Sequence, residues 1–399
     1  MQALAPQYDP LDPIILDNPY AAYAELRRAA RVCRSGPGQW AVTRYADVSA
    51  LLRDPRLGHR FPDVYYKFLL GDGDASLFFR RIIMDHDPPD HTRLRTLMNK
   101  SFAPSLIRRL TDHIDDLVER LLDEAADRGR FDAVSDLAVP LPFLVICELL
   151  GVPSTSREEV WPYVAKLSKA FDTHTPEHER PSIDKAVIWL RQYFSALLDE
   201  RRNHSGDDLI SHMSRAVTGP LALDRDEIID NAVFLFFAGF ETTTNLIANG
   251  CAALVEEPHA FERLRAEPSL ASSAVEEFLR YDAPIQCVSR LVLEPIEIGD
   301  RTIRKDRVLV LLIGSANHDE EQFTNPSRLD IGRTPNPHLS FAGGIHYCLG
   351  ATLARLEATV LFSRLAGRFK TFEKGGELVR RPSGGFRAYA QVPIVATVV

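Results

Sequence analysis

The sequence predicts a mainly α protein with a smaller β portion. Three observations carry this. Most segments between residues 90 and 280 repeat their apolar residues at helical spacing, and strand-like alternation is confined to the flanks. One periodic segment, near 226–257, is far longer than an ordinary globular helix. The 399 residues hold no internal repeat, low-complexity stretch or long flexible linker, which favours a single domain. Its β-rich parts are expected near 1–60, 285–315 and 370–399, and its helical parts near 65–284 and 316–369.

From the N-terminal side, Pro19 to Ala30 is helical in pattern, and Gln39 to Tyr45 alternates like a strand. Residues 60–80 read as a loop but carry Phe61, Tyr65, Tyr66, Phe68, Phe78 and Phe79. Exposed loops seldom hold so many aromatics, so this segment is expected to cover something apolar. Helices are predicted near 90–100, 105–128, 139–150, 158–172, 181–203, 206–216, 226–257 and 270–281. The middle of 226–257 is apolar on all sides, which predicts a helix crossing the protein centre. Strand patterns return at Arg290 to Glu294 and Arg307 to Leu312. A Gly- and Pro-rich stretch, a last helix from Leu349 to Leu365 and short terminal strands complete the pattern.

Hydrophobic residues make up 45% and charged residues 26%, the composition of a soluble globular protein. A net charge of −8 leaves no global basic field for nucleic acid. Five scattered cysteines (Cys33, Cys147, Cys251, Cys287, Cys348) argue against a disulfide framework or zinc site and fit a reducing cytoplasm. Met1 to Pro6 lacks the basic start of a signal peptide, and the most apolar run, Val233 to Phe240, is too short to span a bilayer. The expected location is cytoplasmic, with no membrane partner.

Four constellations carry chemistry. In Phe341-Ala342-Gly343-Gly344-Ile345-His346-Tyr347-Cys348-Leu349-Gly350 a cysteine opens the last helix. A metal-binding thiolate must be kept ionised, and the free N–H groups and positive end of a helix N-terminus favour that. Gly343, Gly344 and Gly350 would let backbone approach a flat macrocycle. In the long helix, Ala238-Gly239-Phe240-Glu241-Thr242-Thr243-Thr244 puts weak helix formers beside an acid. A Thr hydroxyl bonding back to the Ala238 carbonyl would open a local bulge. Glu277 and Arg280 share a helical face, although Glu25 with Arg28 and Glu262 with Arg265 match that spacing too. His91 and Arg95 lie four apart on one face, near a basic cluster of Arg93, Lys100, Arg108 and Arg109.

The cysteine segment resembles the heme-binding loop of the cytochrome P-450 family, F-x-x-G-x-H/R-x-C-x-G. Phe341, Gly344, His346, Cys348 and Gly350 match every fixed position. Ala342 departs, since bacterial members usually have Gly there, and a small adjustment of the loop is expected. The long-helix segment looks like the family's A-G-x-D/E-T. Glu277 to Arg280 looks like its E-x-x-R, chosen because Ala283-Pro284 and a strand pair follow. Asp87-Pro88-Pro89, Ser101-Phe102, Ala316-Asn317 and Phe323 to Pro326 fall in the family's order, so the resemblance covers nearly the whole chain and is to the soluble bacterial branch.

The resemblance implies heme b, with Cys348 as its thiolate ligand and Ala238, Phe341, Gly343 and Gly350 around it. It assigns proton delivery to Glu241 and the hydrogen-bond network around dioxygen to Thr242. His91, Arg95, Arg290 and His346 would hold the propionates. Glu277 and Arg280 would brace the cysteine loop through Arg328 or Arg333. The 60–80 segment, Phe234, Phe237, Ala238, Ile285, Gln286 and Val288 would line a pocket for an apolar small molecule. The implied reaction inserts one atom of O2 into a C–H or C=C bond of a natural product. Electrons would come from NAD(P)H through a ferredoxin reductase and ferredoxin, the latter an acidic partner for the basic cluster. Three alternatives stay open: oxidative coupling or rearrangement, a peroxide-using relative (disfavoured by the intact Glu241-Thr242 pair), and a heme-binding sensor without turnover.

Overall fold

Helix starts along the chain follow local chemistry. Asn18 caps the Pro19–Ala29 helix by accepting the Tyr20 N–H at 3.3 Å, and Pro19 needs no partner for an N–H it lacks. Asp224 and Glu227 form a reciprocal box at the head of the Arg225–Glu256 helix. The Glu227 N–H donates to Asp224 Oδ1 at 2.7 Å, and the Asp224 N–H donates to Glu227 Oε2 at 3.0 Å.

The computed structural model describes residues 6–101, 104–204, 206–215 and 222–399, without the side chains of 100, 101, 104, 105 and 108. The N-terminal stretch before Pro6, Phe102, and the Lys100 and Arg108 side chains therefore lie outside the described residues. The chain is mainly α with a smaller β portion, and it divides into two compact units. Each unit is discontinuous in sequence, so no linker marks the division.

The first unit comprises the chain up to Gly58, Asp115–Leu141 and Thr242–Val399. Its largest sheet runs in the order Val32–Gly36, Gln39–Val42, Val308–Leu311, Val288–Val292, Leu57–Gly58. Gln39–Val42 pairs parallel with Val308–Leu311, and the other neighbours are antiparallel. Val42, Val292, Leu309, Leu311 and Ile313 pack beneath it with Leu339, which leads into the cysteine loop. A second sheet pairs Pro393–Val398 with both Phe369–Lys374 and Arg130–Asp132. The three-residue strand Arg130–Asp132 went unpredicted because so short a segment shows no alternation. The Arg225–Glu256 helix packs through Gly250, where a Cβ would overlap the Phe362 ring and lie 2.9 Å from Phe278.

The second unit comprises His59–Ile114 and Pro142–Glu241 and is helical. Residues 60–80, read as a loop, form two short helices, Asp63–Leu70 and Asp74–Phe79. Helices this short carry too few turns for periodicity to register. Asp184, from the Arg180–Asn203 helix, accepts the Ala75 N–H at 2.8 Å and so caps the second of them. Tyr66, Phe78 and Phe79 are buried, while Phe68 is 74% exposed. Phe143, Trp161, Phe236 and Phe240 form one aromatic cluster, and Phe79, Phe171 and Phe237 another.

Candidate functional site

The helix after the cysteine spans Ala351–Arg368 with Gly350 at its cap. Cys348 thus stands three residues ahead of the helix, two further from its first turn than the sequence predicts. The loop closes on itself. The Cys348 N–H donates to the Phe341 carbonyl at 3.0 Å, the Tyr347 N–H to Gly344 O at 3.1 Å, and the Ala342 N–H to Leu339 O at 2.8 Å. Cys348 and His346 are half-buried.

Two loop residues adopt left-handed backbone, Ala342 (φ 57°) and Gly344 (φ 67°). A Cβ on Gly344 would lie 2.7 Å from the Leu52 carbonyl oxygen and 3.2 Å from the Arg53 Cα. Gly344 is therefore required by main chain of its own protein, whereas the sequence reading assigned it to a macrocycle. Leu52 and Arg53 belong to no motif, and no sequence signal marks them. At Gly350 the reverse holds: apart from its own stretch of chain, no heavy atom comes within 4 Å of where a Cβ would be, so the space beside it is open. Gly343 is extended, and the atoms nearest to a Cβ there would be those of the Arg53 guanidinium, from 3.1 Å. Ala342 fits the left-handed region with its methyl packed against the core under the sheet.

Glu277 and Arg280 are fully buried and form a two-armed pair, with both contacts at 2.8 Å. Arg333 Nε donates to Glu277 at 3.0 Å and Asn336 Nδ2 at 3.1 Å. Arg280 donates in turn to the carbonyls of Asn317 (3.0 Å) and Pro326 (2.8 Å). Arg333 is the side chain that joins this pair, and Arg328 contributes only its carbonyl oxygen, at 3.4 Å.

The Arg225–Glu256 helix runs unbroken as α-helix, so the opening its threonines predicted is not a feature of this backbone. Phe234, Ala238 and Thr242 are half-buried at four-residue spacing, a stripe along a helix whose neighbouring Phe236, Phe237, Phe240, Glu241 and Thr243 are buried. A Cβ on Gly239 would lie 2.7 Å from Ile146, so Gly239 sets close packing on the Pro140–Leu150 helix.

His91 is 2% exposed. Burial, helped by the neighbouring Arg95 cation, pushes it down to about 4, so at neutral pH it is an uncharged hydrogen-bonding group. Arg95 is half-buried on the same helical face. Arg290 is buried in the Val288–Val292 strand, with Nη1 donating to Ser289 O at 2.9 Å. Phe237 stacks on Phe171 at 3.7 Å between ring centroids, and Phe234 lies 6.1 Å from the same ring. Ile285 and Val288 are half-buried. Gln286 is buried, donates to Ala283 O at 2.8 Å and packs over Gly314. Of the basic cluster, Arg93 is paired with Glu227 and Arg109 with Asp207, so neither presents an uncompensated charge.

The family model described as Cytochrome P450 matches residues 177–384. The biotin biosynthesis cytochrome P450 of Bacillus subtilis (strain 168) is 35% identical over 386 residues, covering 95% of this chain and 96% of that protein. The chain belongs to the cytochrome P450 family. A second P450 relative, 6-deoxyerythronolide B hydroxylase of Saccharopolyspora erythraea, is 34% identical over 389 residues, covering 94% and 95% of the two chains. The P450 fold is likewise shared with the solved structure of P450BioI in complex with hexadec-9Z-enoic acid ligated acyl carrier protein. The TM-score is 0.89 at 34% identity, with 96% of this chain and 99% of that one covered.

As a P450 the protein is a monooxygenase that takes heme b with a cysteine thiolate as axial ligand. Its residues fit that group. Burial pushes the thiols of Cys33, Cys147 and Cys251 up to about 11, 12 and 12, which keeps all three protonated. Cys348 is instead half-buried, on a loop whose Gly350 borders open space. Among the described residues no helix is long and apolar enough to cross a membrane.

Proposed function

We propose that Cys348 is the axial ligand, and that this P450 inserts one oxygen atom from O2 into a C–H or C=C bond of an apolar small molecule in bacterial natural-product metabolism. The loop around Cys348 carries the reading: its hydrogen bonds and left-handed turns fix the loop that bears one half-buried thiol, with open space beside Gly350 two residues on. When bound, the heme supplies the oxidising chemistry. The chain supplies position and protons. Thr242 lies on the half-buried stripe, where its hydroxyl can order a hydrogen-bond network around dioxygen. Glu241, buried beside it in sequence, is the acid that feeds that network. His91, Arg95, Arg290 and His346 would be the residues that hold the heme propionates.

Phe234 and Phe237 are aromatic and Ile285 and Val288 aliphatic, and all four are apolar residues of the kind that suits an apolar substrate. The relatives named for biotin and for erythronolide chemistry support biosynthetic oxidation of such molecules. Electrons would arrive from NAD(P)H through a ferredoxin reductase and ferredoxin. The decisive measurement is the absorption spectrum of the reduced protein under carbon monoxide. A strongly red-shifted Soret band in the wild type, lost in Cys348→His with heme retained, is the expected result. Heme bound with the band of histidine ligation in the wild type overturns the proposal.

A further inference from the structure

The helix turn that supplies Glu277 supplies a second acid, Glu276, with a separate set of partners. Arg355, on the helix after the cysteine, grips Glu276 with two arms: Nε to Oε1 at 2.7 Å and Nη2 to Oε2 at 2.9 Å. His338 also meets Glu276 Oε2, through Nε2 at 3.0 Å. Its Nδ1 accepts the Ser340 N–H at 3.2 Å, so Nε2 carries the proton and donates. The Arg355 guanidinium lies 4.3 Å from the centre of the Phe341 ring, and its Nη1 donates to the Tyr347 hydroxyl at 3.2 Å. The His338 and Phe341 rings are 5.9 Å apart.

Every partner of Glu276 and Arg355 named here lies in the segment 338–347 or in the helix that follows Cys348. The partners of Glu277 and Arg280 lie instead between Asn317 and Asn336. Two adjacent acids therefore serve two different stretches of chain. The Phe341 carbonyl also accepts the Cys348 N–H, and Tyr347 immediately precedes the cysteine, so the second network touches the loop at two points ahead of the sulfur-bearing residue and, through Arg355, the helix after it.

We infer that Glu276 and Arg355 are positioning residues for Cys348, holding Phe341 and Tyr347 so that the thiolate keeps its place against the heme. This rests on the proposed ligation by Cys348. Despite its burial, the Glu276 carboxyl is held down at about 2 by hydrogen bonds from His338 and Arg355, consistent with a clamp that stays charged.

The test uses the full-length heme-loaded protein and the variants Arg355→Gln, Glu276→Gln and Arg355→Lys. The readouts are the share of reduced protein with the thiolate-type carbon monoxide band, the rate at which that band decays to the neutral-thiol type, and the heme reduction potential. Loss of a two-armed charged hydrogen bond predicts decay about tenfold faster in Arg355→Gln and Glu276→Gln. The potential should shift, while circular dichroism stays that of the wild type. Arg355→Lys keeps the charge without the fork and falls between. Wild-type decay and potential in both neutral variants overturn the inference. If those two fail to fold, Arg355→Lys decides it, with wild-type values counting against. A wild type that never shows the thiolate band overturns the ligation proposal itself, a separate result.

Discussion

Replacing Gly344 by alanine tests the cysteine loop where its geometry is tightest. The left-handed backbone at φ 67° costs an L-residue about 1 kcal/mol, and Ala342 shows that this loop tolerates such a cost where a methyl has room. At Gly344 there is no room: the new Cβ would lie 2.7 Å from the Leu52 carbonyl and 3.2 Å from the Arg53 Cα. Both are main chain and cannot rotate aside, so overpacking adds about 1–3 kcal/mol. The expected loss is roughly 2–4 kcal/mol, concentrated where Cys348 is held. Gly343→Ala is the matched control. Its backbone is extended and the atoms nearest to its methyl would be the movable end of the Arg53 side chain, so about 0.5 kcal/mol or less is expected. Heme occupancy from the Soret-to-protein absorbance ratio and thermal melting of the holo protein measure both. Gly344→Ala should lose heme or thiolate ligation and melt several degrees lower, with Gly343→Ala near the wild type. Equal behaviour of the two variants would refute the main-chain contact as the reason for glycine.

Four further outcomes are expected. Gly250→Ala should lower denaturant stability by about 1–3 kcal/mol, since its methyl would overlap the Phe362 ring and press on Phe278. Glu277→Gln leaves Arg280 buried without its counter-charge, so chemical denaturation should show a loss of about 3–5 kcal/mol. Asp85 is 5% exposed, and burial pushes its carboxyl up to about 8. A raised carboxyl favours the folded state most below its unfolded value near 4, and that advantage is lost as pH rises through 8. Asp85→Asn should therefore match the wild type near pH 4 and exceed it by up to roughly 5 kcal/mol at pH 9 in urea melts, at about 1.4 kcal/mol per pH unit. Equal pH curves would reject it. Finally, Glu241→Gln should cut O2-driven product formation about 100-fold by removing the proton donor. Peroxide-driven turnover should fall less, because peroxide brings its own protons, and equal losses by both routes would reject the role.

The long elements were legible because their periodicity repeats over many turns. The helix expected at 226–257 is Arg225–Glu256, and that expected at 181–203 is Arg180–Asn203. Asp63–Leu70 and Asp74–Phe79 were not, since they are short and Tyr66, Phe78 and Phe79 are buried in tertiary contacts that no local pattern encodes. The cysteine loop was legible as chemistry, yet the reason for one of its glycines was not. Leu52 lies almost three hundred residues away in sequence, and what Gly344 meets there is an oxygen every residue type possesses. Arg333 was legible only as one of two arginines near the right place. Its selection depends on the direction of a side chain, which spacing does not report. Glu276 and Arg355 escaped notice because each looks like an ordinary charged residue on an amphipathic helix.

The contact between Gly344 and the Leu52 carbonyl has a bearing on how this protein can vary. The peptide oxygen is the same for every residue type, so this contact itself sets no side-chain requirement at position 52; the core packing of the buried Leu52 side chain sets that separately. Length is another matter. One codon gained or lost between Tyr45 and Leu52 would slide a different stretch of backbone under Gly344, and the loop would lose its stop. Libraries that randomise the exposed position 53 should thus yield mostly colored, heme-loaded clones, and libraries that change spacing there should yield few.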